Sequence, residues 1–534
     1  MRGLLVGGTT SDAGKSLLTA GLCRWLARDG VDVAPFKAQN MSNNSMVCAD
    51  GAEIGRAQWL QAQAARVVPE AAMNPVLLKP GSDRRSHVVL LGRPAGHLHS
   101  REWSTGRREL AAAAFAAVEE LAGRHEVVVA EGAGSIAEVN LREGDFANLG
   151  LARATGLPVV VVGDIDRGGV LASMYGSWAL LPEDDRACLA GWIVNKFRGA
   201  LDLLTPGLDV VRTRTGLPML GVVPWLEDAW LDGEDALALG AWGDRDLDDL
   251  DDLDDPDRRD DSDGPVGNAG SAGTRSGAAG IDPLRVAVVG FPRLSNATDV
   301  DALAAEPGVE VVVTRRPGDL AGADLVVLPG SRATASDLAW LRSRGLAQAL
   351  TRRAADGGPI VGICGGYQML ARCIRDDAGV EIPGGGAVDG LGLLPVDVTF
   401  HAQKRLGTPV GSWEGHRVEA YEIHHGVARR CEPGPTGEPG GVPALGASPT
   451  GEVRPFLDGW SAGAVWGTTW HGAFENDGFR RAFLAQVADR RRLPWRARTG
   501  APGFRARRET MLEHLADAVE GHLDTGELRR LMRI

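Results

Sequence analysis

The chain of 534 residues has few cysteines and no long apolar run. A helix that crosses a membrane needs about 18 or more apolar residues in succession, and no such stretch occurs. Asp12 and Lys15 interrupt the apolar N-terminal stretch, which argues against a secretory signal peptide. These absences predict a protein of a reducing, cytoplasmic compartment with no membrane partner. The cysteines show neither paired metal-ligand spacing nor a disulfide framework, and they are Cys23, Cys48, Cys188, Cys364, Cys373 and Cys431.

An excess of one charge is confined to one segment. The formal net charge is −13, but twelve Asp and three Arg between Asp244 and Asp263 account for −9 of it, which leaves about −4 for the rest. This balance gives no indication of nucleic acid as a partner. The segment is Asp-rich and then Gly-, Ser- and Ala-rich, with almost no apolar residues to bury. We therefore predict a disordered linker over residues 241–282.

Short β-branched runs alternate with helix-compatible segments on both sides of this linker. Such alternation predicts parallel sheets that bind ligands at the carboxyl ends of their strands. The expected fold class is α/β, with two doubly wound domains over residues 1–240 and 283–492 and a C-terminal helical tail over residues 493–534. A stretch rich in Pro and Gly, from Glu432 to Gly451, is predicted to be a loop insertion.

The first predicted strand leads into a loop of small residues that ends in Gly14-Lys15-Ser16. In such a loop the backbone N–H groups face phosphates, the lysine reaches the outer ones, and the serine hydroxyl binds Mg²⁺. The pattern departs from Gly-x-x-x-x-Gly-Lys-Ser at Thr9, which stands in the place of the first glycine. ATP and Mg²⁺ are therefore the predicted ligands. The residues predicted to bind ATP here are Thr10, Ser11, Asp12, Ala13, Gly14, Lys15 and Ser16.

A carboxylate follows a later buried strand, Val127 to Ala130. This residue, Glu131, precedes a Gly-Ala-Gly turn and lies where the carboxyl ends of parallel strands meet. Carboxylate and hydroxyl oxygens are the ligands that Mg²⁺ prefers. We predict that Glu131 and Ser16 bind the metal ion.

Cys364 follows the short strand Ile360–Ile363 and precedes Gly365 and Gly366. A strand that turns sharply into a helix at a nucleophile is the sequence form of a nucleophile elbow, and a helix N-terminus favours the thiolate. The alternative is a buried structural cysteine. Upstream, the loop at Gly330 is placed to donate an oxyanion-hole N–H together with that of Gly365. Downstream, His471 lies between small residues, as a general base on a loop requires.

Together, these motifs resemble a class I glutamine amidotransferase domain and, within that class, the cobyric acid synthase branch. The matching stretches are Gly-Ile-Cys-Gly-Gly-Tyr-Gln-Met-Leu, Leu-Pro-Gly-Ser and His-Gly-x-Phe-Glu-Asn. The resemblance implies that Cys364 attacks the amide of L-glutamine and that His471 relays protons. Many members complete a triad with a Glu two residues after the histidine, where this chain has Ala473. Glu475 lies four residues after His471, so the third member stays open.

The N-terminal stretch resembles the phosphate-binding loop of dethiobiotin synthetase and of partition-type ATPases. This likeness implies that Asn195, at a strand end, contacts adenine. It also implies that Asp50 is a further Mg²⁺ ligand, with a surface carboxylate as the alternative. The segment Lys37-Ala-Gln-Asn-Met-Ser-Asn-Asn resembles a signature of the cobyric acid synthase branch, although it could be a polar surface loop. The resemblance assigns substrate contacts to Lys37, Gln39, Asn40, Ser42 and Asn43.

The family resemblance covers nearly the whole chain and implies a reaction of cobalamin biosynthesis. In it, ATP drives amidation of the b, d, e and g carboxylates of adenosylcobyrinic acid a,c-diamide, with ammonia from glutamine. Two alternatives compete: the sister enzyme that makes the a,c-diamide, and a P-loop switch ATPase with an inert amidotransferase-like domain. The Lys37 segment argues against the first, and intact Cys364 and His471 argue against the second. The order of amidations and the oligomeric state stay open.

Overall fold

The computed structural model describes residues 1–82, 85–99, 103–227, 229–230, 282–382, 384–431 and 452–534. The predicted linker over 241–282, apart from its last residue, and the predicted insertion from Glu432 to Gly451 lie outside these ranges. All six cysteines are free thiols. Within the described ranges, no helix has the length and apolar character required to cross a membrane.

The N-terminal half, residues 1–230, alternates strands and helices. Its elements are β1 (Gly3–Gly8), α1 (Lys15–Arg28), β2 (Val33–Phe36), β3 (Gln39–Met41), β4 (Ser45–Val47), β5 (Glu53–Gly55), α2 (Arg56–Ala64), β6 (Val76–Ser82), β7 (Arg85–Leu90), β8 (Arg93–His99), α3 (Trp103–Arg124), β9 (Val127–Glu131), α4 (Leu149–Thr155), β10 (Val159–Asp164), α5 (Val170–Leu180), α6 (Glu183–Arg186), β11 (Leu189–Phe197), α7 (Leu201–Thr215) and β12 (Met219–Pro224).

Six of these strands form a parallel sheet in the order β12-β11-β10-β1-β9-β2. Its central strands are continuous buried runs, as expected where helices cover both faces of a parallel sheet. Because β1 lies between β9 and β10, the loops that follow these three strands meet at one edge. A smaller sheet, β3-β6-β7-β8, and the hairpin β4–β5 complete this half.

The C-terminal half, residues 282–491, contains β13 (Leu284–Val289), β14 (Leu294–Ser295), α8 (Asp301–Ala304), β15 (Val309–Thr314), α9 (Pro317–Gly322), β16 (Leu325–Leu328), β17 (Gly330–Ser331), α10 (Thr334–Ser343), α11 (Leu346–Ala355), β18 (Ile360–Ile363), α12 (Gly365–Met369), β19 (Cys373–Asp376), β20 (Gly386–Asp389), β21 (Val396–Gly407), β22 (Val410–Trp413), β23 (His416–Glu419), β24 (Glu422–Arg430), β25 (Val453–Phe456), β26 (Gly459–Ala462), β27 (Val465–Thr468) and α13 (Asp477–Arg491). Its main sheet has the order β15-β13-β16-β18-β27-β26-β25, parallel from β15 to β27 and antiparallel beyond. The predicted α/β fold class is confirmed.

The chain ends in two helices, α14 (Phe504–His522), which contacts both halves, and α15 (Thr525–Met532), which packs on the N-terminal half. Phe504 belongs to the core of the C-terminal half, whereas Leu512 and Val519 pack with α1 in a core of the N-terminal half. The two helices approach closely at Gly21, where an added Cβ would lie 2.9 Å from the carbonyl oxygen of Leu515. A glycine is required there because any side chain would separate α1 from α14.

Candidate active sites in the two halves

Cys364 occupies a strained turn between β18 and α12. Its φ is 50° and its ψ is −109°, a conformation that costs a non-glycine residue about 1–3 kcal/mol. The turn is held against the end of β16, because an added Cβ at Gly366 would lie 2.0 Å from the carbonyl oxygen of Leu328. This geometry is that of a nucleophile elbow, and it lifts the Cys364 thiol toward a cavity that the residue helps to line.

His471 follows β27 and is only 1% exposed. Its Nδ1 lies 2.6 Å from Oδ2 of Asp299, and Oδ1 of Asp299 accepts a hydrogen bond of 2.8 Å from the N–H of Gly472. Burial lowers the pKa of His471, but the charges of Asp299 and Cys364 outweigh it and raise the pKa to about 10. The imidazole is therefore held protonated in the site that it shares with Cys364.

Asp299 thus contacts His471 as a third triad member would, and this role, which the sequence left open, stays a prediction. The nearby acid Glu475 is engaged elsewhere, since it pairs with Arg56 at 2.5 Å and with Arg508 at 3.1 Å. Burial raises the pKa of Glu475, but Arg508 and Arg56 outweigh it and lower the pKa to about 2. The signal available in the sequence was the polar cluster Ser-Asn-Ala-Thr-Asp soon after the first strand of the C-terminal half.

The two candidate oxyanion-hole glycines, Gly330 and Gly365, lie close to His471 and Cys364. Gly330 lies in β17, which pairs with β14, and an added Cβ there would lie 3.1 Å from Cε1 of His471. An added Cβ at Gly365 would lie 2.7 Å from the backbone nitrogen of Ser331. Both positions tolerate only glycine, because the loop and the elbow approach each other closely. Their role as donors stays a prediction.

The cavity in front of Cys364 has an empty volume of about 460 Å³ and carries charges of both signs. Arg332 and Glu381 line it, and the N–H of Thr334 donates to Glu381 at 2.7 Å. Burial raises the pKa of Glu381 to about 7, against the opposing charge of Arg332 and the hydrogen bonds from Thr334. Arg332 is suited to the carboxylate of a bound amino acid, and Glu381 is suited to its ammonium group.

The phosphate-binding loop of the N-terminal half is closed by its own lysine. Nζ of Lys15 donates to the carbonyl oxygens of Thr10 and Ser11, each at 2.8 Å. The loop also contacts β11, because Nδ2 of Asn195 donates to the carbonyl oxygen of Ala13 at 3.0 Å. The segment from Thr10 to Ser16 therefore forms one compact turn with Asn195 beside it.

Glu131 is fully buried at the end of β9 and lies beside this loop. Its Oε1 accepts hydrogen bonds of 2.7 Å from Oγ of Ser16 and from Nζ of Lys37, and its Oε2 accepts one of 2.6 Å from Gln61. A hydroxyl and a carboxylate in contact are suitable oxygen ligands for Mg²⁺. Ser16 and Glu131 therefore fit the predicted metal site.

Within the described part of the chain, Asp50 makes no hydrogen bond with Ser16 or Glu131. Its Oδ1 accepts a hydrogen bond of 2.9 Å from the N–H of Ala52 in the exposed turn between β4 and β5. Among the described residues, no group of three or more His, Cys, Asp or Glu side chains could hold a metal ion. A metal role for Asp50 stays a prediction.

Comparison with known proteins identifies both halves. Residues 4–236 match the CobQ/CobB/MinD/ParA nucleotide binding domain, and residues 285–479 match the CobB/CobQ-like glutamine amidotransferase domain. The cobyric acid synthase of Cutibacterium acnes is 55% identical over 100% of both chains. Those of Mycolicibacterium gilvum and Streptomyces avermitilis are 54% and 52% identical, over 100% and 99% of this chain and 97% and 96% of theirs. This chain belongs to the cobyric acid synthase family.

The segment that resembles the family signature spans the distance between the two sites. At its start, Lys37 donates a hydrogen bond to Glu131, and further along, Asn43 lines the cavity of Cys364. Next to Asn43, Oδ1 of Asn44 accepts a hydrogen bond of 3.1 Å from the N–H of Ala297 in the C-terminal half. The other candidates are buried: Gln39, Asn40, which donates to Gln58 at 3.0 Å, and Ser42, which accepts from the N–H of Asn44 at 3.1 Å. Their contact with substrate stays a prediction.

In this family member a buried ion network also joins the halves beside the same cavity. Glu53 of β5 pairs with Lys79 of the same half and with Lys404 of β21, whose Nζ lies 2.6 Å from Oε2 of Glu53. Burial raises the pKa of Glu53, but the two lysines outweigh it and hold that pKa well below its usual range. Burial also lowers the pKa of Lys79 to about 7, against the opposing charge of Glu53. Sequence patterns did not indicate this network.

Proposed function

We propose that the chain amidates the b, d, e and g carboxylates of adenosylcobyrinic acid a,c-diamide, with ATP as the energy source and L-glutamine as the nitrogen source. The observation that carries the proposal is the combination of two chemistries in one chain. We assign Cys364, His471 and Asp299 to a glutaminase triad, which the contact of His471 with Asp299 supports. In the other half, Ser16 of the phosphate-binding loop contacts the buried carboxylate of Glu131. The names and full-length similarity of the curated relatives support the corrinoid substrate.

In the C-terminal half, the Cys364 thiolate attacks the side-chain carbonyl carbon of glutamine. The backbone N–H groups of Gly330 and Gly365 stabilise the oxyanion, and His471 gives its proton to the departing ammonia. Water then hydrolyses the glutamyl thioester, with His471 as general base. Asp299 holds the imidazole in the correct tautomer and stabilises its protonated form.

In the N-terminal half, Lys15 and the loop N–H groups bind the phosphates of ATP. Ser16 and Glu131 would hold Mg²⁺, which would supply positive charge to the phosphate oxygens. A substrate carboxylate attacks the terminal phosphorus and ADP leaves. Ammonia then attacks the carbonyl carbon of the acyl phosphate, and inorganic phosphate leaves as the amide forms. Delivery within one protein keeps ammonia concentrated and unprotonated near its target, and the side chains that line the Cys364 cavity from the N-terminal half support this route.

The test uses purified protein with ATP, Mg²⁺, glutamine and one of two corrinoids, read by mass spectrometry. We expect successive exchanges of hydroxyl for amino groups on adenosylcobyrinic acid a,c-diamide and none on cobyrinic acid. Amidation of cobyrinic acid to the diamide would assign the chain to the sister reaction. ATP hydrolysis with neither corrinoid amidated, even with ammonium salt, would refute the synthetase function.

A further inference from the structure

A largely apolar cavity lies beside the phosphate-binding loop. Leu17 and Leu18, which directly follow Ser16 in α1, line it together with Asn195 and Lys196 at the end of β11. The cavity is narrow, with an internal volume of about 100 Å³. Because its lining begins immediately after the loop that faces the phosphates, the cavity is placed for the base of the same nucleotide.

The rest of the lining comes from two parts of the chain that are far apart in sequence. The segment after β12 contributes Trp225 and Leu226. The C-terminal helix α14 contributes Leu515, Ala518 and Val519, all of which are less than 9% exposed. Neither family model extends to this helix, since the second ends at residue 479.

Several contacts hold α14 in this position. Arg24 of α1 is 1% exposed and its Nη1 donates to Oε1 of Glu513 at 2.8 Å, and Arg28 pairs with Asp517 at 2.6 Å. Beyond the end of α14, the N–H of Asp524 donates to the carbonyl oxygen of Leu220 in β12 at 2.7 Å. The helix is therefore fixed to α1 and to β12, the two elements that flank the cavity.

We propose that α14 forms one wall of the base pocket of the nucleotide site, so that Leu515, Ala518 and Val519 pack on the purine ring of ATP. The inference rests on the proposed use of ATP and adds a recognition role for the C-terminal helices. The apolar faces of a purine gain by removal from water, while the Asn195 amide is suited to its polar edge. Occupation of the pocket by a side chain from α14 must then weaken binding of the base without weakening binding of the phosphates.

The experiment measures binding of ATP and of inorganic tripolyphosphate to the full chain by calorimetry, with Mg²⁺ present. Ala518→Phe places a ring in the cavity, and we expect the Kd for ATP to rise at least about tenfold because the base loses its buried position. The Kd for tripolyphosphate, which has no base, stays unchanged. His514→Phe adds the same ring to the exposed face of α14 and leaves both constants unchanged. Ala518→Leu provides the same comparison if Ala518→Phe does not fold.

Two results overturn the proposal. Wild-type affinity of the Ala518 variants for ATP would mean that the cavity does not hold the base, and equal losses for both ligands would mean that α14 acts only on the fold. The wild-type protein separates this inference from the proposed function. If the wild-type chain binds neither ATP nor tripolyphosphate, the use of ATP itself fails. If it binds both and Ala518→Phe binds them equally well, only the role of α14 fails.

Discussion

Replacement of Asp299 by Asn tests the triad, because it removes a charge at nearly constant volume. Asp299 accepts from both the imidazole of His471 and the N–H of Gly472, whereas an asparagine offers one oxygen and one amino group. A hydrogen bond to a charged group contributes about 1.5–3 kcal/mol. At 1.36 kcal/mol per unit, its loss lowers the pKa of His471 by about one to two units. Loss of the correct tautomer adds to this, and we expect kcat for glutamine hydrolysis to fall by about 10²- to 10⁴-fold.

The pH profile shows which group causes the loss. Asp299 and Cys364 raise the pKa of His471 to about 10, so the protonated imidazole persists well into the alkaline range. Without the carboxylate this pKa falls, and the alkaline limb of kcat/KM for glutamine hydrolysis moves to lower pH. Glutamate release across the neutral and alkaline range measures both the rate and the position of the limb.

A matched control comes from Glu475, the acid four residues after His471. Glu475→Gln removes a charge that pairs with Arg56 and Arg508, so we expect lower stability but an unchanged alkaline limb.

Asp299→Asn should retain amidation driven by external ammonium, since the ATP site is untouched. A shifted limb in Glu475→Gln together with a wild-type limb in Asp299→Asn would show that the triad has been assigned to the wrong acid.

Four further substitutions separate the two half-reactions. Cys364→Ala should abolish glutamine-dependent amidation, and ammonium salt at mildly alkaline pH should restore it, whereas Lys15→Ala should fail with either nitrogen source; corrinoid mass spectra report both. Glu131→Gln should lower ATP turnover by about two orders of magnitude or more, measured as phosphate release, while glutamate release changes little. Glu53→Gln weakens the pairing with Lys79 and Lys404 that joins the two halves beside the cavity of Cys364. We therefore expect ammonia to escape between the sites, so that more glutamine is hydrolysed per amide formed while ammonium-dependent amidation is unchanged. An unchanged ratio of glutamate to amide would show that this network does not help to retain ammonia.

The parts of the fold and sites that sequence predicted are those built from contiguous residues. The turn at Cys364 and the loop before Lys15 each combine a strand, glycines and a helix start within a dozen positions, so their local geometry follows from local rules. Glu131 needed one more step, the rule that ligands gather at the carboxyl ends of parallel strands. Its contact with Ser16 agrees with that rule.

Asp299 could not be predicted in the same way. It is 172 positions from His471 in the chain, and they meet only because β13 and β27 belong to one sheet. A search close to the histidine led to Glu475, whose partners are two arginines from other parts of the chain. Proximity in sequence therefore left the third member open, since the sheet order that decides which loops meet is not a local property.

The segment from Lys37 to Ser45 shows a second limit. Amide and hydroxyl side chains suit a ligand, but they equally suit a buried contact between two parts of a protein, because both require each polar group to find a partner. Asn44 meets the N–H of Ala297, and the N–H of Ser45 meets Oδ1 of Asn296 at 3.0 Å, so these residues satisfy groups of the opposite half. Residue type alone cannot separate the two uses. The partners decide between them. Lys37, at the start of the segment, contacts Glu131 beside the phosphate-binding loop, and Ser45, at its end, contacts Asn296, which is three residues before Asp299 in the chain.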